Sequence, residues 1–327
     1  MGGKRRMNPT KKLFTAGYAL LIGVGGADIP KTVDDAKALA DILRDQDRCA
    51  YPPEQVQLLT SQDADRKGIL EALDKIAQSS DKDSTVIIYF SGHGGQVKSS
   101  IGDAYFLIPH GYDIYRLKKT AINGAEFAAK LHALKAKKLL LLLDCCHAGG
   151  IGEAKGLEIA KAPLPPEALE MLGSGSGRVI IASSQADELS YAGEPYSAFT
   201  LALIESLCGI GVAKKDGFVR VADLAMHARE AVPGRTDNKQ HPILNFEQAD
   251  NFVIAYYSGG DSSPKALPFQ ESPEIEPEPG AWQNAFDQRG QNASTQTNIA
   301  GDVNGPILSG VFRGSVNIGE GGRKRKQ

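Results

Sequence analysis

The chain has 327 residues, 42% of them hydrophobic and 23% charged, the balance of a globular protein able to bury a full core. A formal net charge of −2 gives no global attraction for nucleic acid or an anionic membrane. The basic clusters Lys4-Arg5-Arg6 and Arg323 to Lys326 are short, terminal and read as solvated ends.

Residues 1–12 are polar and basic and are expected to be disordered. Tyr18 to Val24 reads as a buried strand. It is too short to span a bilayer, and no small-residue cleavage site follows it. A helix is expected from Val33 to Leu43, with Val33, Ala36, Leu39, Ala40 and Leu43 on one face. Val56 to Leu59 reads as a short strand, and Asp65 to Ala77 as a helix. Thr85 to Phe90 is a continuous apolar run, the signature of a strand buried on both faces. Glu126 to Leu134 reads as a helix, and Lys138 to Leu143 and Val179 to Ala182 as strands. Two helices are expected, from Ser197 to Leu207 and from Val219 to Ala231. Strands alternating with helices predict an α/β sandwich with a mostly parallel sheet. In such folds the site lies beyond the carboxyl ends of the strands.

The folded body implied by this pattern covers residues 13–257. Within it, residues 151–177 are rich in Gly, Pro, Ala and Ser and read as a long connection. Residues 258–290 are rich in Pro and Glu and read as an extended linker. Residues 291–327 form an Asn/Gly-rich, β-prone tail. In Asn298 to Gly319 apolar residues alternate loosely with polar ones between glycines, which is strand-turn-strand chemistry.

Two of the strongest strands run into polar, Gly-bearing loops, Ser91-Gly-His-Gly-Gly95 and Asp144-Cys-Cys-His-Ala-Gly-Gly150. Hydrolysis by a cysteine needs a thiolate-competent sulfur and an imidazole that takes and returns its proton. It also needs N–H donors for the oxyanion. His93 supplies an imidazole, Cys145 and Cys146 supply thiols, and the flanking glycines free backbone N–H groups. The four cysteines, two of them adjacent, fit neither a disulfide framework nor a zinc-ligand spacing. A reducing, cytoplasmic setting is therefore expected.

Tyr89-Phe-Ser-Gly-His-Gly94 and Leu143-Asp-Cys-Cys-His-Ala-Gly149 resemble the two catalytic motifs of the caspase–metacaspase family (peptidase C14-like), most closely its prokaryotic metacaspase-like members, the orthocaspases. The resemblance runs from about Tyr18 to Tyr257. It includes Thr32-Val-Asp-Asp-Ala36 and Ala182 to Ser190, and it leaves out the linker and tail. It implies a caspase-like α/β/α sandwich and a cysteine endopeptidase with His93 and Cys146 as the dyad. The oxyanion hole then falls to the N–H groups of Gly94 and Cys146. Cys145 is left as a small structural residue. The Gln-Ala-Cys-x-Gly pattern of animal caspases is absent.

By the same resemblance the P1 pocket is acidic and accepts Arg or Lys, with Asp35, Asp144 and Ser91 on its walls. Thr32 stands where the family often has cysteine. Self-cleavage is expected in the segment after the nucleophile, with Lys155, Lys161 and Arg178 as candidates. No cofactor is required. Some relatives bind calcium, for which Asp103, Asp113 and Glu153 are the nearest acidic residues, although they form no spaced calcium loop. The partner implied is a protein or peptide substrate. Residues 298–319, outside that resemblance, are loosely similar to the short Asn/Gly-punctuated β-forming motifs attached to bacterial signalling enzymes; they either pair with a homotypic partner carrying the same motif or form a disordered tail. The setting implied is bacterial signalling or defence cell death. The alternative is a catalytically inert caspase-like adaptor that assembles through its tail. A cysteine hydrolase acting on small molecules is a third, weaker reading.

Overall fold

The structure is a computed structural model and describes residues 12–97, 104–145, 159–161, 166–173, 176–185, 188–246 and 249–269. All of these belong to one compact unit, Met1–Pro273; the second unit, Glu274–Gln327, lies outside the described residues. The N-terminal segment 1–11 and the tail motif 298–319 therefore lie outside them too.

In chain order the first half contains β1 (Gly17–Gly23), α1 (Lys31–Arg44), β2 (Val56–Thr60), α2 (Arg66–Ser79) and β3 (Thr85–Ser91). It continues with β4 (His93–Val97), β5 (Ala104–Ile108), α3 (Leu117–Thr120), β6 (Ile122–Asn123), α4 (Gly124–His132) and β7 (Lys138–Asp144). The second half contains β8 (Ile159–Lys161), α5 (Pro166–Gly173), β9 (Arg178–Ala182) and α6 (Ala198–Leu207). It ends with β10 (Phe218–Arg220), α7 (Val221–Arg235), β11 (Ile243–Asn245) and β12 (Val253–Tyr256).

Six strands form the central sheet in the order β11-β9-β7-β3-β1-β2. Its four pairings from the β2 edge to β9 are parallel, and β11 closes the other edge antiparallel. Side chains alternate between the faces, as a period of two requires. Leu21, Tyr89, Leu142 and Ile181 face one core with residues of α1, α6 and α7. Leu20, Ile88, Leu141 and Ile180 face the other with residues of α2, α4 and α5. Helices thus cover both faces, and the expected α/β/α sandwich is found. The wholly apolar runs of β3 and β7 are explained by the same arrangement: each strand has a helix layer above and below it.

The short elements differ from expectation. The segment beginning at His93 is not a loop but β4, which pairs antiparallel with β5 and β8 in a four-stranded sheet. Glycine lowers the strand propensity of His93-Gly-Gly-Gln-Val, and pairing on both sides overrides it. Residues 151–177, read as a connection, contain β8 and α5. Val219 belongs to β10, paired with β12, and α7 starts only at Val221. Beyond Tyr257 the chain stays on the body through Phe269, whose ring packs edge-on against Tyr196 at 5.2 Å. The Ala266 carbonyl accepts from Arg48 at 2.7 Å.

Candidate active site

The parallel register lines up three strand ends. Gly23 of β1 lies opposite Ser91 of β3, which lies opposite Asp144 of β7. Asp144 and Ser91 continue the alternation that puts Leu142 and Tyr89 on the α1–α6–α7 face. Asp35, in α1 on that face, is 2% exposed, while Asp144 and Ser91 are both 0% exposed.

Two buried carboxylates in one neighbourhood need partners, and Ser197 supplies them. Its backbone N–H donates to Asp35 Oδ1 at 2.9 Å. Its hydroxyl donates to Asp144 Oδ2 at 2.8 Å and accepts from the Thr200 N–H at 3.1 Å, capping α6. The positive N-terminal end of α6 therefore points at both acids. Asp144 Oδ1 accepts from Ser190 at 2.5 Å. Ser190 is in turn within 3.2 Å of the amide of Gln240, which is itself anchored on the Ser183 carbonyl at 2.8 Å. Burial, reinforced by the nearby charge of Asp144, pushes the Asp35 carboxyl up to about 8. Ser91 Oγ is buried and has no hydrogen bond of ordinary geometry among the described residues. Asp35, Asp144 and Ser91, singled out from the sequence, are thus brought together. Ser190, Ser197 and Gln240, which complete the network, were not singled out.

His93 opens β4 and is 5% exposed. Its Nε2 lies 2.7 Å from Asp28 Oδ2. Asp28 sits between β1 and α1 and was not anticipated. Gly94, the next residue, is buried opposite Leu107 of β5. Cys145 is 4% exposed and packs in the core under α2 and α4, the place of a small apolar residue. Cys146 lies outside the described residues, as do Asp103, Glu153 and Lys155.

The other candidates fall as follows. Lys161 ends β8, its backbone opposite Gly95. Arg178 opens the central strand β9, its side chain reaches the Leu131 carbonyl at 3.2 Å, and the next residue, Val179, is fully buried. The bond after Arg178 therefore lies within a buried strand of the central sheet, out of a protease's reach while the sheet is folded, whereas Lys161 is the last residue of its strand. Asp113 caps its own turn: one oxygen accepts from the Tyr115 N–H at 2.9 Å and the other from Arg116 at 2.8 Å. Those hydrogen bonds, with the Arg116 charge, hold its carboxyl below the usual range. Among the described residues no three His, Cys, Asp or Glu are grouped to hold a metal ion. No described helix is long and apolar enough to cross a membrane.

A family model described as the caspase domain matches residues 16–253. The chain belongs to the caspase-domain family. That span takes in the whole central sheet, His93, Cys146 and the acidic network. Membership supports a peptidase of the cysteine type, acting on protein substrates. Among solved structures, a protein from Geobacter sulfurreducens is 18% identical, with a TM-score of 0.48 over 70% of this chain and 92% of its own. No curated protein matches the sequence.

Proposed function

We propose that this caspase-domain protein is an endopeptidase that cleaves after Arg or Lys, with Cys146 as nucleophile and His93 as its base. One observation carries the specificity: two buried carboxylates, Asp35 and Asp144, meet at a single residue, Ser197, on the row of strand ends two residues before His93. An Arg or Lys side chain at P1 brings the missing positive charge, and a guanidinium can engage two carboxylate oxygens at once. An acidic P1 would meet like charge at a cost of roughly several kcal/mol.

In the proposed reaction His93 takes the Cys146 proton and the thiolate attacks the scissile carbonyl carbon. The N–H groups of Gly94 and Cys146 hold the oxyanion. As the C–N bond breaks, imidazolium returns the proton to the departing amine. Water, deprotonated by His93, then attacks the thioester, the C–S bond breaks and the thiol is restored. Self-processing is proposed after Lys155 or Lys161. Calcium remains a proposed effector, with Asp103 and Glu153 the acids still open to it.

The test is turnover of an Arg-P1 fluorogenic peptide by the purified chain and its variants. Cys146→Ala and His93→Ala are expected to lower it about a thousandfold or more, while Cys145→Ala keeps most of it. An inactive Cys145→Ala beside an active Cys146→Ala would reverse the nucleophile assignment. Mass spectrometry of the same preparations should find wild type cut after Lys155 or Lys161 and Cys146→Ala intact. An uncut, fully active wild type removes the processing step. A wild type that turns over no peptide leaves the inert-adaptor reading in its place.

A further inference from the structure

Among the described histidines His93 is the buried one, and its partner is informative. The Nε2···Oδ2 separation of 2.7 Å is that of a charge-assisted hydrogen bond. An ionised carboxylate can only accept, so the proton of the neutral ring sits on Nε2. In that tautomer Nδ1 is the basic nitrogen of the ring, the one able to accept a proton from a nucleophile. The ring is almost wholly buried, whereas the Asp28 side chain is 55% exposed. The carboxylate therefore reaches the ring from the solvent side and is not a core group. The backbone around it is set for that reach. Gly25 and Gly26 adopt positive φ, at 67° and 129°, and the Gly25 N–H is held by Thr32 Oγ1 at 2.9 Å. Ile29, next along the chain, is 3% exposed and anchors the segment in the core. Burial, and after it the charge of Asp28, raise the phenol of Tyr112.

We propose that Asp28 is a positioning residue for the His93 base, fixing its tautomer and ring orientation and stabilising the imidazolium formed when the nucleophile gives up its proton. This rests on the reading of His93 as the base. In this role Asp28 acts through His93. Its removal should therefore slow the chemical steps and leave the acidic P1 network, on another element, as it was.

The experiment uses the full-length chain with Asp28→Asn, Asp28→Ala and Asp28→Glu, beside His93→Ala. It reads kcat and KM on the Arg-P1 peptide, the rate of Cys146 alkylation by iodoacetamide from the mass of its peptide, and Tm. The expected result for Asp28→Asn and Asp28→Ala is a kcat lower by about 10- to 100-fold, with KM within about twofold and slower alkylation. Tm should be unchanged, because the side chain is outside the core. Asp28→Glu should recover part of kcat. A kcat within twofold of wild type in both Asn and Ala variants overturns the proposal. So does a loss confined to KM, or one that tracks a fall in Tm. If His93→Ala turns over peptide and alkylates like wild type, the base assignment itself has failed, and the role of Asp28 falls with it.

Discussion

Asp35 carries the largest unfavourable electrostatic load at the site. Burial comes first and the Asp144 charge second, and together they push its carboxyl to about 8 from an ordinary value near 4. At neutral pH the folded chain therefore keeps a proton there that the unfolded chain has released. The stabilisation from this proton is complete below about pH 4 and is lost as pH rises through about 8. A bound P1 cation favours the ionised form, so kcat/KM for an Arg peptide is expected to rise with pH up to about 8. Asp35→Asn should abolish that rise, weaken Arg-peptide binding by about 10-fold or more, and raise Tm much more at pH 9 than at pH 5. A pH-independent Arg preference in wild type, retained in Asp35→Asn, would count against the pocket. Asp35, Asp144, Ser91 and His93 were legible because they stand inside compact motifs. Ser197 and Asp28 were not, because they meet their partners 162 and 65 residues away in sequence, and only the folded sheet brings them close.

Among elements, the register of α1 on β1 decides where Asp35 stands. Gly23, the last residue of β1, passes so close under α1 that an added Cβ would lie 2.3 Å from the Thr32 carbonyl oxygen and 2.9 Å from Val33 Cα. Both are backbone atoms and cannot rotate away. Gly23→Ala is expected to displace the first turn of α1, cost about 1–3 kcal/mol of stability, and raise KM for Arg peptides more than it lowers kcat. Denaturant melts and steady-state kinetics check this; unchanged KM and stability would mean that α1 is not what seats Asp35. The long elements were readable because the apolar runs of β3 and β7 and the one-faced spacing of α1 and α2 are set by burial alone. The four-stranded sheet around His93 was not. Its strands are two to five residues long, glycines interrupt β4, and what makes them strands is pairing between distant segments. The α5 helix was hidden in a Pro- and Gly-bearing stretch for a similar reason: its place is fixed by packing of Leu172 under the sheet.

At the scale of the molecule, the central sheet acts as a platform whose strand ends hold the acidic network on one face and lead to β4, which opens on His93. The body, Met1–Pro273, is one unit and the remainder another, a boundary that lies later than the composition shift read after Tyr257. For residues 298–319 the proposed role is homotypic assembly. Asn ladders and backbone pairing between copies would satisfy its polar groups, while Pro306 limits any unbroken strand. A synthetic peptide of this segment should develop β circular dichroism and sediment as an oligomer at high concentration; a monomeric, structureless peptide would argue against it.

The central claim, that two buried carboxylates make this caspase-domain chain a basic-specific peptidase, is tested most directly by turnover of matched peptides differing only in P1. Arg and Lys peptides are predicted to be cleaved at least about 100-fold faster in kcat/KM than the Asp peptide. A preference for Asp at P1, or equal cleavage of all three, would contradict it.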